Sequence, residues 1–189
     1  MLSFFRQFLM KPKEIGAIAS SSKGLSQIIT TATNLSEKKC VVELGSGTGV
    51  FTKRILQKVS SECIVFSLEL NPQFVKETKK NCSGAIVYCA SAKQIRKYLL
   101  KHNQHACDCI ISGLPWSAFD EKLQEELLNE IYASLEVGGE FFTFAYIHGI
   151  ILPAGIRFRK LLIKKFSHVE KTRIVWKNLP PAVVYCCRK

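Results

Sequence analysis

The residues with the clearest chemical meaning are a glutamate and three alternating glycines in the stretch Val41-Val-Glu-Leu-Gly-Ser-Gly-Thr-Gly49. The stretch opens with apolar residues typical of a short strand, and the pattern Glu-x-Gly-x-Gly-x-Gly begins at Glu43. Glycine has no Cβ, so the backbone there can turn sharply and approach a ligand closely. Phe51, Ile55 and Val59 follow at helical spacing. Strand, glycine turn and helix predict the nucleotide-binding start of a doubly wound α/β sheet.

The charge of this motif narrows the class of ligand. Dinucleotide sites carry Gly-x-Gly-x-x-Gly, where a helix N-terminus receives a pyrophosphate. Glu43 would repel a pyrophosphate but suits a positively charged ligand such as S-adenosylmethionine (SAM), which has a sulfonium and an α-amino group. Glu69 ends the next predicted strand, 20 residues after Gly49, where a carboxylate can bind ribose hydroxyls. We therefore expect a SAM site, and the alternative is a chance glycine turn beside a surface glutamate.

Length and composition indicate one globular domain. The chain has 189 residues, of which 47% are hydrophobic and 22% charged, enough for one full core. It has no apolar run long enough to span a bilayer, and residues 1–10 do not have the pattern of a signal peptide. We expect a cytoplasmic monomer.

The eight cysteines do not have the spacing of a disulfide framework or a zinc site. There is no Cys-x-x-Cys, and no histidine lies at ligand spacing, so no metal is expected. Most of them fall in predicted strands, where a reduced thiol is a small buried hydrophobe. Among these are Cys40, Cys63, Cys89, Cys109 and Cys186.

The formal net charge of +12 is concentrated toward the C-terminus, where Glu170 is the single acidic residue after position 150. The basic residues there include Arg157, Arg159, Lys160, Lys164, Lys165, Lys171, Arg173 and Lys177. Such a surface suits a polyanionic partner, either nucleic acid or anionic lipid. A solvated basic face without a partner has the same composition.

Helical and strand patterns alternate along the chain, which favours a parallel-rich sheet. After the second strand we predict a helix from Pro72 to about Lys80, a strand Ala85–Cys89, a basic helix to Leu100, a strand Cys107–Ser112, a helix from Asp120 to Leu135, a strand Glu140–Tyr146, a helix Ile156–Phe166, and strands near Val169–Trp176 and Ala182–Cys187. The expected fold is a doubly wound Rossmann-like sheet of about seven strands, with helices on both faces.

The N-terminal segment has an apolar helical face with basic neighbours. Such a helix can lie in a membrane interface, or it can pack as a lid on the domain's own core, and periodicity leaves both open. The candidate membrane contacts are Phe4, Phe5, Arg6, Phe8, Leu9 and Lys11. We therefore divide the chain into residues 1–34, containing this helix and a cofactor-capping helix, and a domain of residues 35–189.

Several separated motifs together resemble one known family. They are Phe8-Leu-x-x-Pro12 with Gly16-Ala-Ile-Ala-Ser-Ser-Ser22, Glu43 to Thr52, Ile111-Ser-Gly-Leu-Pro115, Phe144-Ala-Tyr146 and Asn178-Leu-Pro-Pro-Ala182. In this combination the chain resembles the bacterial phospholipid N-methyltransferases, which convert phosphatidylethanolamine stepwise toward phosphatidylcholine. The glycine motif is common to many methyltransferases, whereas Ser-Gly-Leu-Pro with Asn-Leu-Pro-Pro-Ala is far more specific.

The resemblance implies a role for each matching position. The cofactor-binding residues would be Ser21, Ser22, Glu43, Gly45, Ser46, Gly47, Gly49, Glu69, Leu70, Ser91 and Ala92. The substrate would contact Gly113, Leu114, Pro115, Trp116 and Asn178. Tyr146 would be the catalytic residue, accepting a hydrogen bond from the substrate amine, and its ring and that of Trp116 would stabilise the developing cation. The partners implied are a phospholipid substrate and an anionic or zwitterionic membrane, at whose inner face the protein would act.

The chain departs from the family at two positions. Ser91 replaces the usual aspartate that contacts the adenine amino group, and Trp116 replaces an aliphatic residue. One alternative is an RNA adenine N-methyltransferase, whose strand-four motif is related, although Gly113 stands where that class has a polar residue and we expect no additional RNA-binding domain. Another alternative is a SAM-binding module without catalysis.

Overall fold

The computed structural model describes residues 25–176 and 180–189. Seven strands form one sheet in the order β3-β2-β1-β4-β5-β7-β6. They are β1 (Cys40–Leu44), β2 (Ile64–Glu69), β3 (Ile86–Cys89), β4 (Cys107–Ser112), β5 (Leu135–Tyr146), β6 (His168–Lys171) and β7 (Ala182–Arg188). The first five strands pair in parallel, whereas β7 lies antiparallel between β5 and β6.

The helices pack on both faces of this sheet, which confirms the predicted doubly wound, seven-stranded architecture. They are α1 (25–32), α2 (Val50–Leu56), α3 (Pro72–Asn81), α4 (Ile95–Lys101), α5 (Glu121–Ser134), α6 (Ile147–Ile150) and α7 (Pro153–Lys165). Side-chain caps define two helix starts: Asn71 accepts from the Gln73 amide before α3, and Asp120 accepts from the Leu123 amide before α5.

Two apolar clusters fill the space between the sheet and these helices. The first contains Phe66, Trp116 and Phe158 and lies under α4, α5 and α7. The second contains Leu25 and Ile29 of α1, together with side chains of α2. Leu25 and Ile29 are fully buried, so the described end of the N-terminal segment packs on the domain itself.

Strand β5 differs from its predicted bounds. The strand was predicted to begin at Glu140, but it already begins at Leu135. The pairing with β4 shifts from Cys107↔Leu135 to Cys109↔Glu140, which leaves the intervening residues as an irregularity within the strand. Gly138 accommodates this with a φ of 78°, a conformation that glycine adopts without strain.

The strands near the C-terminus and the connection before α7 also differ from expectation. β6 is a short strand, His168–Lys171, and beyond it Val175 forms an isolated bridge with Ala182. The short helix α6 was not predicted, because a single turn leaves no periodic pattern. β4 has the predicted bounds.

All eight cysteines are free, as the sequence predicted. Cys63 precedes β2 by one residue instead of lying in the strand, and Cys82 follows α3. Among residues 25–176 and 180–189, no cluster of histidine, cysteine or acidic side chains is suited to a metal ion. The same residues include no helix that is long and apolar enough to cross a membrane.

Candidate cofactor and substrate site

The carboxyl ends of the parallel strands meet at one edge of the sheet, which is where doubly wound folds bind ligands. Leu44 of β1 pairs with Leu68 of β2 and with Ser112 of β4. The glycine loop, Leu70 and Gly113 therefore leave the sheet side by side. We call this the carboxyl edge.

The glycine loop turns through three positive φ angles, of 78° at Gly45, 53° at Gly47 and 88° at Gly49. The environments of the last two differ. A Cβ at Gly49 would lie 2.9 Å from Cys82 Sγ, whereas a Cβ at Gly47 would meet no neighbouring atom within 4 Å. Gly49 is thus packed against the protein, and Gly47 borders open space that a ligand can occupy.

Three side chains at the end of α3 hold the carbonyl groups of this loop. Thr78 Oγ1 donates to the Gly47 carbonyl at 2.8 Å, Asn81 Nδ2 donates to the Thr48 carbonyl at 2.9 Å, and Cys82 Sγ contacts the Gly49 carbonyl at 3.2 Å. The Gly49 carbonyl also accepts from the Lys53 amide at 2.9 Å, so the side chains of α3 act together with the start of α2 in holding the loop. Sequence reasoning did not identify Thr78, Asn81 or Cys82, because no motif marks a donor that acts from a distant helix.

Glu69 joins the end of β2 to the glycine loop. Its Oε2 accepts a hydrogen bond from the Gly47 amide at 3.0 Å, and its Oε1 accepts one from the Asn71 amide at 2.9 Å. The adjacent Leu70 is exposed beyond the strand end. The structure thus brings the two elements of the sequence motif, the glycines and the second acidic residue, into direct contact.

Glu43 lies beneath the loop and is 1% exposed. Its Oε2 accepts hydrogen bonds from Thr52 Oγ1 at 2.6 Å and from Ser67 Oγ at 2.5 Å. Oε1 is buried without a hydrogen-bond partner in the described part of the chain. Burial raises the pKa of Glu43 from 4.5 to about 7; the two hydroxyl groups act to lower this pKa, and the Glu69 carboxylate adds to the rise.

Ser91 caps the 3₁₀ turn Ala92–Gln94 after β3, where its Oγ accepts a hydrogen bond from the Lys93 amide at 3.2 Å. Ala92 is buried. Ser91 therefore occupies the predicted position after the third strand and provides a hydroxyl group there, with no carboxylate.

Gly113 permits the close approach of the β4 end to the glycine loop. A Cβ at Gly113 would lie 2.9 Å from the Gly45 carbonyl oxygen, so a larger residue would separate the two loops. The Gly113 amide also donates to the Leu44 carbonyl at 2.8 Å. Beyond it, the Leu114 amide donates to Ser112 Oγ at 3.2 Å, and the Leu114 carbonyl accepts from the Trp116 amide at 3.0 Å. Pro115 precedes the 3₁₀ turn Trp116–Ala118.

Trp116 lies in the core, in contrast to the expected substrate contact. It is 2% exposed, one ring face stacks on Phe158 with centroids 4.4 Å apart, and Nε1 donates to Thr143 Oγ1 at 3.0 Å. Its aromatic faces are therefore enclosed by the protein. The position of Trp116 directly after Leu114 and Pro115 did not reveal that it is buried, because the turn directs its ring inward.

Tyr146 ends β5 at the same carboxyl edge and is half-buried. Its ring stacks on His148 with centroids 5.6 Å apart and meets the Phe144 ring edge-to-face at the same distance. Burial raises its pKa, so the phenol stays protonated at neutral pH. Within the described residues its hydroxyl has no recorded hydrogen bond, which leaves it available to a ligand.

The remaining sequence-predicted site residues, Ser21, Ser22 and Asn178, lie outside the described residues. So do the candidate membrane contacts Phe4, Phe5, Arg6, Phe8, Leu9 and Lys11.

Comparison with known proteins identifies the family to which this site belongs. A family model described as a methyltransferase domain matches residues 41–139. The chain is also 30% identical over 190 residues to the ornithine lipid N-methyltransferase of Singulisphaera acidiphila, covering 98% of this chain and 94% of that one. The chain belongs to the class I SAM-dependent methyltransferases. This confirms the family resemblance and the enzyme class that the motifs predicted.

Solved structures show the same fold at low sequence identity. TrmN from Thermus thermophilus has a TM-score of 0.67 at 15% identity, covering 87% of this chain but 48% of that one, so this methyltransferase spans about half its length. Magnesium protoporphyrin IX methyltransferase from Synechocystis PCC 6803, with bound SAM, has a TM-score of 0.68 at 9% identity, covering 92% and 80% of the two chains. At these identities the likeness establishes the fold alone.

The carboxyl edge of the methyltransferase fits SAM, the cofactor of its family. Open space adjoins Gly47, the Glu69 carboxylate accepts from the Gly47 amide beside that space, and the buried carboxyl group of Glu43 lies beneath the loop. When bound, SAM supplies the activated methyl group. We expect the glycine loop to contact its methionine portion, Glu69 and Leu70 its ribose and adenine, and Ser91 and Ala92 the far side of the adenine.

The buried carboxyl group of Glu43 predicts a specific pH dependence of the methyltransferase's stability. Its pKa is 4.5 when unfolded and about 7 when folded, so the folded state keeps a proton that the unfolded state loses between these values. Stability therefore falls as pH rises through this window, by about 3 kcal/mol for one group. In Glu43→Gln this fall should disappear, because the amide does not ionise.

Urea unfolding of both proteins at pH 5 and pH 8 measures this difference. We expect the free energy of unfolding of the wild type to fall more between pH 5 and pH 8 than that of the variant. An equal loss of stability in both proteins would show that Glu43 is ionised throughout and that other groups cause the pH dependence.

Proposed function

We propose that this enzyme transfers methyl groups from SAM to the primary amine of a membrane lipid at the membrane surface. The observation that carries the proposal is the match over nearly the whole chain to an ornithine lipid N-methyltransferase. The motif set supports a lipid substrate as well, with an ethanolamine-type head group. The ornithine and ethanolamine head groups each present a primary amine beside the acyl-bearing part of the lipid. The same site can therefore methylate either one.

The substrate amine must reach the site as a neutral nucleophile. An ethanolamine-type ammonium has a pKa of about 10, like lysine, so its proton passes to solvent before the transfer. The hydroxyl of Tyr146 then accepts a hydrogen bond from an amine N–H and directs the lone pair of the nitrogen toward the methyl group. Holding the two reacting atoms in line supplies most of the catalysis expected here.

Two backbone carbonyls and the ring of Tyr146 itself would complete this substrate site. The backbone carbonyls of Gly113 and Leu114 lie at the end of β4, beside the strand that ends in Tyr146. The Tyr146 ring can stabilise the positive charge that develops on the nitrogen. Trp116 is not included, since its faces are enclosed in the core.

The structure disfavours RNA adenine methylation at two positions. The polar side chain that would hold an adenine amino group has no room at position 113, where a Cβ would lie 2.9 Å from the Gly45 carbonyl oxygen. The aromatic residue that would stack on the base, Trp116, is buried. RNA therefore serves as the comparison substrate.

The test is transfer of labelled methyl groups from SAM to three substrates in parallel: vesicles containing phosphatidylethanolamine, vesicles containing ornithine lipid, and structured RNA. We expect label in at least one lipid and none in RNA. Label in RNA alone would overturn the lipid assignment. Absence of label from all three, in protein that binds SAM, would favour a cofactor-binding module without this activity.

A further inference from the structure

Large apolar side chains are exposed around the carboxyl edge, close to Tyr146. Ile151 and Trp176 are each 70% exposed, and three others are also exposed. We call this set the apolar rim: Ile151, Leu152, Ile156, Ile174 and Trp176. Exposed apolar groups in one place mark an interaction site more often than scattered ones do.

Strand pairing places the two halves of the apolar rim beside each other. Ile151 and Leu152 follow α6, which itself follows Tyr146, and the Ile147 amide donates to the Pro181 carbonyl at 2.9 Å. On the other side, Val175 bridges Ala182, which pairs with Tyr146. Ile174 and Trp176 flank Val175 and so lie at the same end of the sheet.

The side-chain directions agree with this placement. Val175 packs against the second apolar cluster, which lies on the face that carries α1 and α2. Successive side chains of an extended segment point to opposite faces. Ile174 therefore points toward the face that carries α7, where Ile156 is exposed.

Basic side chains border the apolar rim. Helix α7 has five lysine or arginine residues and no acidic residue. Its exposed Arg159 and Lys160, together with Lys171 of β6, line a groove of about 240 Å³ whose walls include Ile156 and Ile163. Among the residues that the structure describes, none of these three basic side chains has an ion-pair partner.

We infer that the apolar rim and the basic groove dock the enzyme on an anionic phospholipid bilayer, with the carboxyl edge facing the lipid. Isoleucine and leucine side chains enter the boundary between head groups and acyl chains, while lysine and arginine bind the anionic head groups. Four of the five rim residues are aliphatic or β-branched, which favours acyl chains over the stacked bases of a nucleic acid. The inference rests on the proposed function in one respect: the amine of the lipid substrate would enter the site from this surface.

The two tryptophans of the chain provide a built-in reporter of docking. Trp176 is exposed in the apolar rim, whereas Trp116 is enclosed in the core. A shift of tryptophan emission to shorter wavelength on vesicle addition therefore reports on Trp176. Val137 is a matched control position, because it is 93% exposed near the opposite, amino-terminal end of β5.

The experiment uses the full chain and vesicles of phosphatidylcholine with or without phosphatidylglycerol. We expect the anionic vesicles to shift the emission of the wild type and of Val137→Glu, but not that of Trp176→Phe. The double variant Ile151→Glu/Ile156→Glu should bind these vesicles about tenfold more weakly or worse in co-sedimentation, because two inserted apolar side chains become charged. Val137→Glu should bind as the wild type does.

The inference would be overturned if the double variant bound vesicles as tightly as the wild type does. An emission shift with structured RNA and none with vesicles would overturn it as well. Circular dichroism establishes that the double variant is folded. Methyl transfer to a lipid dispersed in detergent separates this result from the proposed function. A failed docking surface leaves that transfer intact, whereas a failed function abolishes transfer while vesicle binding persists.

Discussion

Gly47→Val should weaken SAM binding strongly without unfolding the enzyme. The backbone at Gly47 has a φ of 53°, and a side chain there would enter open space at the carboxyl edge instead of the protein interior. The valine side chain would occupy volume that the cofactor needs. We expect the affinity for SAM to fall by about 100-fold or more, which corresponds to about 2.7 kcal/mol. Isothermal titration calorimetry measures it directly.

Gly84→Val is the matched control for this variant. Gly84 also has a positive φ, of 80°, and a Cβ there would likewise meet no neighbouring atom within 4 Å, but it lies in the turn before β3. Both variants should lose a similar, modest stability of about 1–2 kcal/mol from a branched residue at positive φ. If Gly47→Val binds SAM as tightly as Gly84→Val, the cofactor does not lie on this loop.

Tyr146→Phe should lower kcat by about 100-fold, the lower end of what a positioned hydrogen-bonding group contributes. The substitution removes the hydroxyl that orients the amine and keeps the ring between Phe144 and His148, so stability and SAM affinity should not change. The measurement is kcat and KM for an aminolipid in detergent, with SAM affinity determined on the same preparation.

Tyr98→Phe serves as the control for this loss, because Tyr98 is also half-buried and packs against another ring, that of Tyr88, but on α4. It should have the kcat of the wild type. A kcat for Tyr146→Phe within about threefold of the wild type would make Tyr146 a packing residue and would require another group to orient the amine.

The parts of the site that could be predicted from sequence are those whose chemistry depends on local backbone. The glycines that adopt positive φ and the acidic residue at the end of β2 are of this kind, and Gly47 does contact Glu69. Seven strands followed from the alternation of apolar runs. The C-terminal bound of β4 matched because Ser112 and Gly113 end the apolar run Cys109-Ile-Ile111.

The parts that could not be predicted depend on contacts between distant elements. Thr78 and Asn81 hold the glycine loop from α3, and nothing in their spacing sets them apart from other helical polar residues. Trp116 was expected to face the substrate, but its ring fills a space between β5 and α7 that exists only after folding. The continuation of β5 past Gly138 depends likewise on its pairing with β4.

Methyl transfer from SAM to a lipid nitrogen is the activity from which the roles of Gly47 and Tyr146 follow. Its most direct test is tandem mass spectrometry of aminolipid vesicles after incubation with the enzyme and SAM carrying a deuterated methyl group, with Gly47→Val as the inactive reference. We expect one or more labelled methyl groups on the head-group nitrogen with the wild-type enzyme alone. Label on an oxygen of the lipid, or unlabelled lipid with an enzyme that binds SAM, would contradict it.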